Sequence, residues 1–390
     1  MKKRGIKWIA SVTMSVMLMG GLLAGCGSAG DSKVIKIGAV YELTGGTATF
    51  GNSALNGAKL AVKEMNAKGG VLGKQVELAI ADNKGEPSEA TNAMTKVITQ
   101  DKVVAVTGFT TSSNAIAAST VAESNGIPFI TAAATNPKVT VDEKTGEVKK
   151  NIFRVCFIDP FQGTVGANFV LNSLKAKKAV ILIDNSSDYS KGLAQFFKEA
   201  FTKGGGEIVG EEAYLQKDQD FKTILTKIKG SNPDVIYVPG YYEEVGKIIK
   251  QARELDINAA FVGGDGWDSP KLLEIAGAPA LNNTYFTNHY SVEDTSPASK
   301  AFVDAYKKEY NETPDAMAVL GYDAANVMMD AIKRANSEDP SKIRDALAAT
   351  KDFAAVTGKI TLNDKHDAVK GAVIIEFKDG KQSYRETVNP

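Results

Sequence analysis

The sequence predicts an α/β protein built of two doubly wound parallel-sheet lobes, and three observations carry that expectation. From Val34 onward short apolar runs alternate with helical stretches almost without interruption, the order that yields a parallel sheet covered by helices on both faces. The alternation starts afresh at Ala179, and roughly 360 residues beyond the leader exceed what one hydrophobic core usually serves. Two neighbouring apolar runs, beginning at Val103 and Pro128, each stop in small hydroxyl residues: Thr110 to Ser113 and Thr131 to Thr135. Loops at the carboxyl ends of such strands are where ligands bind.

In chain order, Lys2, Lys3, Arg4 and Lys7 precede the mostly apolar run Ile9 to Leu23, and Leu23-Ala-Gly-Cys26 closes it. Residues 1–25 read as a bacterial lipoprotein signal peptide, with Cys26 the residue lipidated after cleavage and 26–32 a small, polar tether. The apolar run is shorter than the ~20 residues of a spanning helix. The chain holds 46 basic and 46 acidic residues; losing the four basic residues of the leader leaves 42 against 46. A mildly acidic, mixed surface argues against nucleic acid as a partner. Besides Cys26 the one cysteine is Cys156, in an apolar run that suits a buried, inert thiol. The two histidines, His289 and His366, have no companion at metal-ligand spacing, so no metal and no cofactor is expected.

The first series of elements reads as a strand at Val34–Val40, a helix at Asn52–Asn66 with Leu55, Ala58, Val62 and Met65 on one face, a strand at Gln75–Ala81 and a helix at Pro87–Thr99. Pro87 suits the first turn, where its missing N–H costs nothing. Strands ending at Gly108 and Ala133 flank a helix near Ala115–Glu123. Ser112 and Ser113 stand where that helix begins, so free N–H groups and the helix dipole favour a small anion such as a carboxylate there. Residues 136–150 read as a polar hairpin or loop. The second series has strands at Ala179–Asp184, Glu207–Tyr214, Val235–Val238 and Ala260–Val262, with helices at Tyr189–Lys203, Phe221–Lys229 and Glu243–Leu255. Then come an extended stretch at Thr284–Tyr290, helices at Pro297–Glu309, Asp315–Ala335 and Ser341–Ala349, and strands at Gly358–Leu362 and Ala372–Phe377. A hairpin at Lys378-Asp-Gly-Lys381 ends the chain. This last third is too small a core to stand alone and must rejoin the earlier sheets.

Several stretches together resemble the type I periplasmic binding proteins of the branched-chain amino acid (leucine/isoleucine/valine) importers. They are Ala67-Lys-Gly-Gly-Val-Leu-Gly-Lys-Gln75, the Thr-Ser-Ser and Thr-Ala-Ala-Ala-Thr turns, Asp188-Tyr189, Pro239-Gly-Tyr-Tyr242 and Gly263-Gly-Asp-Gly-Trp267. Their order along the whole chain carries the resemblance. It implies two lobes joined by three hinge strands, the first of residues 33–156 plus 288–358 and the second of 157–287 plus 359–390. It also implies an amino acid held between the lobes and passed to the transmembrane subunits of an ABC permease by a lipid-anchored monomer on the outer face of the cell membrane. The ligand carboxylate is expected at Ser112 and Thr135, beside Ala134, and the ammonium at the Ala133 carbonyl and Asp265, beside Gly266. Tyr189 and Tyr241 would close over the ligand, and Asp159 matches another site position. Phe50 stands where some members carry a cleft tyrosine, and Asp265 where some carry the longer glutamate.

An enzyme on the same sheets is disfavoured, because the first strand leads into Tyr41-Glu-Leu-Thr-Gly-Gly-Thr and not G-x-G-x-x-G, and no P-loop or catalytic carboxylate pair is present. The alternatives that keep the fold are a binder of amides, urea or another polar amino acid, and a sensory ligand-binding subunit.

Overall fold

The computed structural model describes residues 33–390; the signal peptide, the lipidated Cys26 and the tether all lie outside the described residues. Five strands form the first sheet: β1 (Val34–Tyr41), β2 (Gln75–Asp82), β3 (Ala105–Gly108), β4 (Phe129–Thr131) and β5 (Ile152–Arg154). They run parallel in the order β2-β1-β3-β4-β5. Helices α1 (Ala48–Ala67), α2 (Pro87–Thr99) and α3 (Ser112–Asn125) connect them. The order reverses between β2 and β3, on either side of β1, which opens a crevice at the carboxyl ends of the strands.

Helix α1 begins four residues before the expected Asn52. Thr49 and Gly51 are weak helix formers, but tertiary packing overrides them: Phe50 is buried edge-on against Tyr242, with centroids 4.9 Å apart. Helix α2 has its predicted bounds, with Pro87 in the first turn.

The second sheet is built from α4 (Asp159–Asn172), β6 (Lys178–Asp184), α5 (Asp188–Lys203), β7 (Glu207–Tyr214), α6 (Lys222–Gly230), β8 (Val235–Val238), α7 (Tyr242–Glu254), β9 (Ala260–Gly263), α8 (Pro270–Ala276) and β10 (Thr284–Asn288). The chain continues through α9 (Pro297–Tyr310), α10 (Ala316–Ala335), α11 (Pro340–Ala348), the small hairpin β11 (Phe353–Ala355) and β12 (Gly358–Ile360), then β13 (Ala372–Lys378) and β14 (Lys381–Val388). The seven-stranded order is β14-β13-β10-β9-β8-β6-β7. The parallel strands of this sheet carry an antiparallel edge: β13 pairs antiparallel with β10 and β14 antiparallel with β13, because the chain re-enters from the other side and leaves by the tight hairpin expected at Lys378–Lys381. The sequence reading also gives no element for 159–172, where α4 lies; Gly163 and Gly166 dilute its helical pattern, yet only a glycine clears Phe196 and Phe197 of α5 at position 163.

The last third does rejoin the earlier sheets. Helix α10 packs along α1 and reaches β3 and β4, while β13 and β14 extend the second sheet. The chain thus passes between the two sheets three times: at 155–158, at 289–296 and at 361–371. Cys156 lies in the first crossover, buried, its thiol pushed up to about 12 by that burial, as the inert reading requires.

The α1–α10 contact depends on two glycines. A methyl on Gly57 would lie 1.9 Å from the Ala318 carbonyl oxygen, and one on Gly321 2.0 Å from that of Ala54. Gly57→Ala should therefore lower stability by at least about 1–3 kcal/mol, the usual cost of overpacking. Urea unfolding with an unchanged midpoint would show that the helices can part at no cost.

Candidate functional site

The hydroxyl cluster after β3 divides by partner. Glu42, fully buried after β1, accepts from the Thr110 N–H (3.0 Å) and hydroxyl (2.7 Å), the Thr111 hydroxyl (3.0 Å) and the Asn114 amide (3.2 Å). A buried carboxylate needs such a set of donors, so these two threonines serve the fold. Ser113 is taken as well: its hydroxyl lies 3.0 Å from both the Asp188 carboxylate and the Asp188 N–H on α5. Ser112 remains, its oxygen accepting from the Asn136 N–H at 3.2 Å.

Across from Ser112, the Gly264-Asp-Gly266 turn after β9 presents Asp265. A methyl on Gly264 would fall 2.3 Å from the Tyr189 hydroxyl and 2.9 Å from the Gln162 amide nitrogen, so glycine is needed there for packing. Asp265 Oδ1 accepts from Gln162 Nε2 (2.8 Å) and the Tyr189 hydroxyl (2.9 Å), while Oδ2 lies 3.0 Å from His289 Nε2. The Tyr189 hydroxyl in turn accepts from the Gly266 N–H at 3.2 Å. Burial and the Asp265 charge raise that phenol well above its ordinary range, so it stays a donor.

Phe50, Thr110, Ser112, Ala133, Tyr189, Tyr241, Asp265, Gly266 and Met317 line one small space between the carboxyl ends of the two sheets, with a free volume of about 10 Å³. Tyr189 and Tyr241 stack at 5.2 Å, and Phe50 meets Tyr241 edge-on at 5.9 Å. Seven of the residues singled out in the sequence therefore come together. Ala134, Thr135 and Asp159 do not line this space. Ala134 packs into the core with Phe109 and Phe129 and gives its carbonyl to Arg154 at 2.7 Å. The Thr135 hydroxyl and the Asp159 carboxyl are buried beside each other with no hydrogen-bond partner outside the pair. Asp159 opens α4, a helical position and not the simple turn its place before Pro160 suggests. Met317, Gln162 and His289 are site neighbours that the sequence did not point to, while Thr110 belongs to the hydroxyl cluster that it did. His289 has a companion after all, but Asp265 lies 24 residues earlier in the chain, beyond any local spacing rule.

Contacts between loops and helix ends join the two sheets' sides. Besides Ser113 with Asp188, the Asn136 amide donates to the Asp188 carbonyl (2.7 Å), Thr49 meets Ser269 (2.9 Å) and Lys217 pairs with Glu86 (2.8 Å). Among the described residues no group of three or more His, Cys, Asp or Glu side chains is placed to hold a metal ion, and no helix is long and apolar enough to cross a membrane.

A family model described as periplasmic binding protein matches residues 34–382. The chain belongs to that family. Similar to this binding protein are the Leu/Ile/Val-binding protein BraC3 of Rhizobium johnstonii, 37% identical over 85% of this chain and 88% of its own, and two solved structures. The leucine-binding protein LivK of Thermotoga maritima has a TM-score of 0.86 at 39% identity, covering 91% of this chain and 99% of that one. LivJ of Streptococcus pneumoniae, a branched-chain amino acid transporter substrate-binding protein in complex with isoleucine, has a TM-score of 0.86 at 41% identity, covering 92% and 100%. The type I periplasmic binding protein fold is thus the fold of this chain, and its relatives are binding proteins and not enzymes.

Asp159 offers a test of the site's electrostatics. Burial first, and then the Asp265 charge, push its carboxyl up to about 8 from an ordinary 3.8, against the lowering influence of the nearby Thr135 hydroxyl. Unfolded, the group sheds its proton near 3.8; folded, near 8, so it subtracts stability as pH rises through that window. Asp159→Asn lacks this cost, and its stability relative to wild type should climb by at most about 1.4 kcal/mol per pH unit across the window. Urea unfolding at the two ends reads the gap; a gap independent of pH would mean that Asp159 is ionised throughout.

Proposed function

We propose that this protein captures an α-amino acid, leucine, isoleucine or valine, between its two sheets and delivers it to the membrane subunits of an ABC importer, without making or breaking a bond. The observation that carries this reading is the polarity of this space. Ser112 and the Ala133 turn line it from the first sheet and Asp265 from the second, and Phe50, Tyr241 and Met317 give it apolar walls. A zwitterion removed from water needs donors at its carboxylate and a negative or carbonyl group at its ammonium, while an aliphatic side chain needs apolar cover. The Thr135 hydroxyl, buried with only the Asp159 carboxyl beside it, is a donor that a ligand carboxylate would satisfy. Phe50 in place of a tyrosine hydroxyl suits an aliphatic side chain over a polar one.

Each sheet with its helices acts as a lobe, 33–156 plus 288–358 and 157–287 plus 359–390, and the three crossovers serve as hinges. Closure is favoured by the ligand because only the closed form brings Ser112 and Asp265 to the two ends of one molecule. Residues 1–26 supply a lipoprotein anchor at Cys26, which keeps the protein beside its permease. The relatives' printed names, Leu/Ile/Val-binding and leucine-binding, support the same ligand class.

Ligand-dependent thermal stability of refolded, ligand-stripped protein tests the reading, since a ligand bound only to the folded form adds RT ln(1 + [L]/Kd). Leucine, isoleucine and valine should raise the midpoint, and urea and short amides should not; the reverse pattern would remove the branched-chain assignment. Ser112→Ala and Thr135→Ala should each weaken leucine binding by about 1.5–3 kcal/mol, the range for a hydrogen bond to a charged group. Wild-type affinity in both variants would refute the carboxylate assignment.

A further inference from the structure

We infer that His289, together with Gln162, is a positioning residue that sets the Asp265 carboxylate for the ligand's ammonium and ties it to two of the three crossovers. The inference rests on the reading of Asp265 proposed above. His289 is the first residue after β10 and opens the second crossover. Its imidazole lies on the ring of Phe157, in the first crossover, with centroids 3.6 Å apart and planes 23° from parallel. The same ring reaches Asp265 Oδ2 through Nε2 at 3.0 Å, and its side chain has no exposed surface. Gln162 holds the other oxygen at 2.8 Å from α4, and the same amide nitrogen lies 2.8 Å from the Thr287 hydroxyl on β10. Asp265 is thus gripped from α4, from α5 through Tyr189, and from the second crossover.

The charge state of the grip decides what it can do. Neutral donors orient a carboxylate yet leave its negative charge for the ammonium; a protonated imidazole would cancel that charge and set a cation behind the acid. Burial lowers the His289 pKa, opposed by its hydrogen bond to Asp265 and the Asp265 charge, with Lys370 acting in the same sense as burial and Asp268 against it. Asp159 and the Tyr189 phenol are the other titratable groups beside Asp265. The Nδ1 atom has no partner, as suits a neutral ring whose proton sits on Nε2. Ligand binding favours the neutral ring, so acidification should weaken binding.

Calorimetric titration of the full chain with leucine and with 4-methylpentanoate, which keeps the carboxylate and side chain but lacks the ammonium, tests this. His289→Leu should cut the preference for leucine over the des-amino probe by about tenfold or more, and His289→Gln, whose amide N–H can reach the same oxygen, should restore most of it. Affinity for 4-methylpentanoate should stay within about threefold of wild type in both variants. Wild-type leucine affinity should fall as the pH drops below the ordinary histidine value of about 6.5 and the imidazole takes up a proton, and His289→Gln should lose that fall. If His289→Leu keeps the wild-type preference while Asp265→Asn abolishes it, the inference is overturned and the Asp265 reading stands. If the wild type shows no preference, or Asp265→Asn keeps it, both fall together. Should His289→Leu not fold, the pH profile of His289→Gln decides, and a fall equal to wild type overturns the inference.

Discussion

The guanidinium of Arg154 is the charge on which the middle of this molecule depends. It closes β5 with no exposed surface, and it donates to the carbonyls of Ala134 (2.7 Å) and Asn136 (2.9 Å) and to the Thr140 hydroxyl (3.0 Å), while Nε lies 2.7 Å from Asp367. A buried cation persists only where its donors and its charge are both answered. Here the answers come from the turn after β4 and from the third crossover, while Arg154 itself borders the first. One charge therefore shapes the turn that carries Thr135 and fastens two of the three connections between the sheets. The Thr135 carbonyl then receives the Asp159 N–H at 3.1 Å, which places the head of α4 against that turn.

Two buried acids near the cleft show how differently such groups are treated. Glu42 accepts four hydrogen bonds and is complete without any ligand. Asp159 and its neighbour Thr135 have no side-chain partner beyond each other, and an unmet buried polar group costs roughly 1–3 kcal/mol. One carboxylate is thus satisfied fully, while the other has only its neighbour's hydroxyl beside it, which is what the proposed reading of Thr135 as a ligand donor draws on. The proton held by Asp159 near neutral pH removes a negative charge that would otherwise repel an incoming carboxylate.

The fold was largely legible because its signals are local. Alternating apolar runs, Pro87 at a helix start and the Lys378-Asp-Gly-Lys381 turn announce their elements within a few residues. What could not be read are choices made by distant contacts. The first four residues of α1 are helical because Phe50 finds Tyr242, and β13 pairs antiparallel with β10 because of where the chain re-enters the sheet. At the site, the hydroxyl clusters were visible as a type of residue but not by assignment. Thr110 and Thr111 look as suited to an anion as Ser112 does, and only the position of Glu42 separates them. His289 was dismissed for lack of a neighbour in sequence, although the fold brings Asp265 within hydrogen-bond reach.

The substitution of aspartate for a longer acid at position 265 connects these threads. A shorter side chain reaches less far but has one fewer torsion to fix, so three donors suffice to hold it in a single orientation. Those donors occupy much of its hydrogen-bonding capacity, one oxygen taking two and the other one. With the acid already oriented, a ligand's ammonium would gain mainly from its charge, an interaction strengthened once water is excluded. The excluding surfaces are Tyr189 and Tyr241, stacked on the second sheet's side, and Phe50, which meets Tyr241 edge-on from the first. On the proposed reading, charge recognition and closure would be one event: the acid is fixed in advance, and the low-dielectric surroundings that make its charge effective would be completed when Phe50 comes to Tyr241.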